Sequence, residues 1–271
     1  MTEAKFCDIS NHQPSTRAYI QAIKDWGAKA VVLKVTEGNN FIDPTAQAKK
    51  ALVESMGMLC HAYHFSHFTS AAEAKAEAKY FSDRCNALGY DKNKTVMVND
   101  VEAGNLPKNK AALTRLCNVF SDELLALGWK KVDTYSNSSW YQDRLDQNSL
   151  NANNFWCASY GARPNQNYPG VKFNAWQYAA DPQYGGAVYL AGVPTDCNID
   201  YNGFYTADKP SPSTPGGEIK EPTDVNGNEE ELKKLFDEIL ADAQLKKSTT
   251  EYCTSILAYA SPTFFDKPPF I

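Results

Sequence analysis

What the chain lacks narrows the field first. No stretch of its 271 residues approaches 18 consecutive apolar residues, so no membrane-crossing helix and no membrane insertion are expected. The opening MTEAKFCDIS has neither a basic leader nor an apolar core, so synthesis in a host cytoplasm without a signal peptide is expected. Positive charge is in deficit: 27 Lys and Arg against 32 Asp and Glu leave a net charge of −5, which gives a nucleic-acid partner no electrostatic support. Histidine is scarce, and the spacing of His61, His64 and His67 is not that of a zinc-binding helix. The seven cysteines are an odd count with no C-x-x-C pair, which favours free thiols over a disulfide framework or a metal site. No metal and no cofactor are expected.

What is present is an alternation of two periodicities. Short apolar runs at residues 5–9, 30–35, 58–65, 95–99 and 131–135 read as buried strands. Between them, residues 16–26, 71–88 and 110–127 carry the three- and four-residue apolar spacing of helices, and Asp43-Pro44 opens another that Gly57 closes. Strands alternating with helices imply right-handed βαβ units and a parallel sheet. After Tyr135 the rhythm changes: residues 155–160 and 173–178 are strand-like with no long helix between them, and 197–205 reads as a last short strand. The expected fold is therefore α/β, an irregular (β/α) barrel of the TIM type whose final strands have lost their helices.

In such a barrel chemistry sits at the carboxyl ends of the strands. The stretch TVMVNDVEAG ends an apolar strand in two acids, Asp100 and Glu102, which share a face roughly 6.6 Å apart at the strand rise. Two such acids repel and lose solvation, so one holds its proton to higher pH while the other stays ionised. Glycoside hydrolysis needs this division: an acid for the leaving oxygen and a carboxylate for positive charge at the anomeric carbon. Asp8, Glu37, Tyr63, Phe65, Tyr135, Tyr160, Gln177 and Asp200 also fall at or just past strand ends. Asn99, by strand alternation, points away from the acids toward the helical layer and needs a hydrogen bond there.

From Ala207 the composition turns rich in Pro, Ser and Gly, so residues 207–225 read as a linker after a barrel of residues 1–206. Residues 226–271 read as a small helical module, with Leu232, Leu235, Phe236, Ile239 and Leu240 on one stripe. That stripe must be covered, and a bacterial wall, self-association through the helix and docking on the barrel all remain open.

In order and spacing, CDISNHQ at 7–13, LKVTEG at 33–38, AYHF at 62–65, VNDVE at 98–102, FWCASY at 155–160, AWQY at 175–178 and NIDYN at 198–202 resemble the glycoside hydrolase family 25 lysozymes, the muramidase type common among phage endolysins. The resemblance implies an irregular (β/α) barrel that cleaves the β-1,4 bond between N-acetylmuramic acid and N-acetylglucosamine in bacterial peptidoglycan, acting on the wall after release. It makes Glu102 the catalytic acid/base and Asp100 the charge stabiliser, with Asp8 and Asp200 completing an acidic site. Glu37, Tyr63, Tyr135, Trp156, Tyr160 and Trp176 fall at or near the family's substrate-groove positions. For Trp156 and Trp176, core packing weighs as much as sugar stacking. Two other readings stay open. One is a non-catalytic wall-glycan-binding barrel, which has no use for paired acids. The other is a chitinase-like hydrolase, which would carry a further aspartate where Val96 and Val98 stand.

Overall fold

The computed structural model describes residues 3–180, 182–184 and 186–207. The module at 226–271 and the linker at 207–225, Ala207 apart, lie outside the described residues. Among the described residues ten strands and six α-helices follow one another as β1 (Ala4–Ile9), α1 (Arg17–Asp25), β2 (Ala28–Glu37), β3 (Phe41–Ile42), α2 (Ala46–Ser55), β4 (Leu59–Phe65), α3 (Ala71–Ala87) and β5 (Val96–Asp100). The second half holds α4 (Lys110–Ala126), β6 (Lys131–Asn137), α5 (Ser138–Asp143), β7 (Asn154–Ala158), α6 (Pro164–Asn167), β8 (Ala175–Ala179), β9 (Val188–Leu190) and β10 (Val193–Asp200).

Local chemistry sets the helix starts. Thr16 and Asn109 accept the third backbone N–H of α1 and α4, and Ser70 with Glu73 forms a reciprocal capping box on α3. The start of α2 differs from expectation. Thr45, not Asp43, is its cap residue, and Asp43 instead accepts from the Thr45 N–H and hydroxyl and the Asn11 N–H.

Eight strands close into a barrel in the order β1-β2-β4-β5-β6-β7-β8-β10 and back to β1. The pairings from β1 through β8 are parallel, as the alternation implied. The last strand departs from it: β10 runs antiparallel to both β8 and β1. A parallel strand needs a crossover back along the barrel. Here the chain leaves the upper end of β8 and passes through the β9/β10 hairpin, with Ala191 and Gly192 at positive φ, so β10 descends. The last strand expected at 197–205 is found at Val193–Asp200, running downward.

Strand alternation splits the core in two. Val32, Val96, Val98, Phe6, Trp156 and Ala175 fill the barrel, while Met97, Val132, Phe81, Phe120 and Leu113 pack the helices α3 and α4 outside it. Asn99 points outward as expected. Its Oδ1 accepts from the Ser66 hydroxyl at 2.6 Å, and its Nδ2 has no partner among the described residues.

The lower end of the barrel is closed from within. After β10 the chain doubles back on the Asp200 carboxylate, which accepts the N–H groups of Asn202, Gly203, Tyr205 and Thr206 and the Thr206 hydroxyl. Tyr205 enters the barrel, fully buried, and stacks on Phe6 at 4.5 Å. Its hydroxyl donates to Asp133, and its carbonyl accepts from His61 Nε2 at 2.8 Å. His61 Nδ1 accepts from Val96 N, so the ring is the neutral Nε2–H tautomer, in keeping with a pKa that burial lowers to about 4.

Candidate active site

At the upper end, Asp8 from β1, Tyr63 from β4, Asp100 from β5, Glu102 just after it, Tyr135 from β6, Trp156 from β7, Gln177 from β8 and Asp196 from β10 line one open cleft of about 350 Å³. Each of the strand residues is an inward position near the upper end of its strand, which is why elements far apart in sequence converge.

Asp100 is buried, and its Oδ1 has no hydrogen-bond partner among the described residues. Burial holds its carboxyl well above the ordinary range, neighbouring Glu102 adds to this, and the Lys34 ammonium opposes it. Glu102 is exposed at the mouth. The packed walls on its inner side raise its pKa, Asp8 adds to the rise, and Lys34 again opposes. Two repelling acids so placed hold a proton between them to higher pH than either would alone. The exposed Glu102 is the one a glycosidic oxygen can reach. The orphan oxygen of Asp100 is free to face positive charge.

Asp8 is 8 % exposed and held by two carboxamides. Asn198 Nδ2 donates to its Oδ1 at 2.8 Å, and Gln177 Nε2 donates to both oxygens at 3.1 and 3.2 Å. Burial raises its pKa to about 6, and these hydrogen bonds, with one from Asp196, restrain the rise. Gln177 Oε1 accepts from the hydroxyls of Tyr135 and Tyr160, each at 2.8 Å, so Tyr160 reaches the site through Gln177. Trp156 is 2 % exposed and forms packed wall, its ring edge-on to Tyr135 at 4.7 Å.

Four expected residues fall elsewhere. Asp200 is at the opposite end, because β10 descends: Asp8 pairs across the strands with Asp196, and Asp200 with Ala4. It binds the turn that seats Tyr205 and does not meet the other acids. Trp176 neighbours the inward Gln177 and so faces outward, its indole donating to the Ser159 carbonyl at 2.7 Å and its ring against Tyr178 at 5.6 Å. Glu37 and Phe65 flank the cleft without lining it. Glu37 accepts from Lys34 at 2.5 Å and bonds His67 at 2.9 Å; against the effect of its burial, Lys34 and then His67 lower its pKa. Phe65 lies under the Lys34 ammonium, 5.1 Å from ring centre to Nζ.

Strand alternation also turns three residues inward that the motifs do not single out. Lys34 shares the inward parity of Ala30 and Val32, and Asp196 and Asn198 share that of Asp200. Among the described residues no group of three or more His, Cys, Asp or Glu is arranged to hold a metal ion, and no helix is long and apolar enough to cross a membrane.

Known proteins resemble the chain in sequence and in fold. "Lysozyme M1" of Streptomyces globisporus is 26 % identical over 187 residues, covering 66 % of this chain and 63 % of its own length, so the chain spans under two thirds of that relative. The catalytic domain of endolysin ply40 from bacteriophage P40 of Listeria monocytogenes shares the fold at a TM-score of 0.62 and 20 % identity, with 75 % of this chain and 96 % of that one covered. The modular autolysin LytC of Streptococcus pneumoniae, solved with a synthetic peptidoglycan ligand, aligns at a TM-score of 0.61 and 18 % identity over 73 % of this chain and 46 % of that one. The model of glycosyl hydrolases family 25 matches residues 7–187, from the first strand through the last parallel one, and the chain belongs to that family.

Proposed function

We propose that the protein is an endolysin-type muramidase that hydrolyses the β-1,4 bond between N-acetylmuramic acid and N-acetylglucosamine in bacterial peptidoglycan. The observation that carries this reading is the pairing in one cleft of an exposed acid, Glu102, with a buried one, Asp100, whose free oxygen has no partner among the described residues. Glu102 protonates the glycosidic oxygen as the bond breaks. The 2-acetamido carbonyl of the substrate attacks the anomeric carbon, and Asp100 stabilises the oxazolinium that results. Glu102, now a carboxylate, takes a proton from the water that opens the ring. Tyr63, Tyr135 and Trp156 supply a wall for the sugar, and Tyr160 acts by holding Gln177. Membership of the family and the wall ligand of LytC support the substrate class. Residues 226–271 are proposed to target the enzyme to the wall.

The test incubates purified bacterial walls with the wild type and Glu102→Gln and identifies the new reducing end. The wild type should release muramic acid ends, and the variant should lose at least about 10²-fold in rate, the usual contribution of general-acid catalysis. Glucosamine ends would indicate a different hydrolase, and no release a wall-binding barrel.

A further inference from the structure

Asn198 is buried at mid-barrel on β10. Its Oδ1 accepts from the Trp156 indole at 2.8 Å, and its Nδ2 donates to Asp8 Oδ1 at 2.8 Å and to the Phe6 carbonyl at 3.4 Å. A side-chain amide can ordinarily face either way. This one cannot, because an indole N–H only donates and must meet the amide oxygen. The NH2 group is thereby committed to Asp8. Gln177 is arranged in the same sense, with two phenols on its oxygen and its NH2 on Asp8.

Asp8 has a carboxyl neighbour directly across the strand pair, Asp196. Asp8 is buried and Asp196 half-buried; two adjacent acids so shielded share a proton, and the donors around them decide which holds it. The amide N–H groups of both Asn198 and Gln177 converge on Asp8. Asp8 acts on Asp100 and Glu102 from β5 and its following loop and on the phenols of Tyr63, Tyr135 and Tyr160, and Lys34 from β2 opposes it at the two acids.

We propose that Asn198 is a positioning residue which, anchored by the Trp156 indole, fixes Asp8 as the anion of the Asp8–Asp196 pair and leaves the shared proton on Asp196. The functional consequence rests on the muramidase reading. An anionic Asp8 repels negative charge on Glu102, so Asn198 acts through Asp8 to keep the acid protonated. Asn198 touches neither substrate nor the reacting atoms.

The experiment follows the carboxyl carbons of ¹³C-aspartate-labelled full-length protein by NMR through a pH titration. Asp8 and Asp196 are assigned by the resonance lost in Asp8→Asn and Asp196→Asn. In the wild type Asp8 should lose its proton first as pH rises. In Asn198→Ala the Asp8 midpoint should rise by about one unit, the worth of one hydrogen bond to a charged group. The alkaline limb of kcat/KM on purified walls, which reports Glu102 as the acid, should move to lower pH as Asp8 loses charge. Asp196 ionising first overturns the proposal, as does an Asp8 midpoint unmoved in the variant. If Asn198→Ala does not fold, the wild-type order decides alone. A wild type that releases no muramic acid ends defeats the enzymatic reading and leaves the order of ionisation to decide the role of Asn198.

Discussion

Replacing Asp200 with asparagine separates the two ends of the barrel experimentally. The amide keeps the volume and one oxygen. Oδ1 now accepts from the N–H groups of Asn202 and Gly203, and Oδ2 from Tyr205 N, Thr206 N and the Thr206 hydroxyl. Whichever way the amide sits, its NH2 confronts at least two N–H donors. The less costly choice sacrifices the partly buried Asn202 and Gly203 contacts and keeps the buried Tyr205 one. Two charge-assisted bonds are then lost, each worth about 1.5–3 kcal/mol, with water recovering part. A net loss of about 2–3 kcal/mol follows. For a barrel of this size each kcal/mol moves Tm by roughly 2–4 °C, so thermal unfolding followed by circular dichroism should drop by about 4–12 °C. At 25 °C the folded variant should cleave walls with an unchanged pH profile, since Asp200 does not meet Asp8, Asp100 or Glu102. A displaced pH optimum with an unaltered Tm would refute this and return Asp200 to the active site.

Two further outcomes follow from the charges described. Lys34→Met removes the ammonium that lowers the pKa of both Asp100 and Glu102, so both limbs of the kcat/KM profile on walls should move to higher pH; limbs that stay or fall would sink the assignment. Asp133 is wholly buried, and burial raises its pKa to about 7 from the ordinary 3.8. The native state therefore holds a proton that the unfolded chain has released, and stability falls as pH climbs from about 4 to about 7. Urea unfolding at pH 5, 6 and 7 should show that decline, and Asp133→Asn should lessen it, leaving the part due to the raised pKa values of Asp8, Asp100 and Glu102; an equally steep decline in the variant would remove Asp133 from it.

The acids of the first and fourth apolar runs were legible because a parallel strand fixes both the face and the end at which its last inward residue emerges. Asp8 and Asp100 needed nothing more, and Glu102 followed from Asp100. Asp200 was misplaced because the direction of β10 is set by what precedes it. Asp200 would reach the cleft only on a strand running up the barrel, and the chain, having no helix between β8 and β10, comes back down. With the direction reversed, the same inward parity brings Asp196 to the cleft and sends Asp200 to the floor. Trp176 and Gln177 could have been told apart from sequence, since neighbours in a strand point to opposite faces. Lys34 was hidden by its apolar surroundings. Its partner Glu37 ends the same strand, but His67, which bonds Glu37 in turn, lies beyond the end of β4, and nothing local announces that those two meet.

Because β10 descends beside β1, Ala4 and Asp200 stand opposite each other in one antiparallel seam. The two ends of the barrel sequence emerge side by side, away from the cleft, so a short peptide could join them. The chain could then be reopened at an exposed loop as a circular permutant with the cleft intact. The same seam is the barrel's soft point under load. Tension across these two ends would peel β1 from β10 one hydrogen bond at a time. The fifth residue pair it parts is Asp8 and Asp196, so a pulling force would dismantle the cleft early, while the parallel strands were still in register.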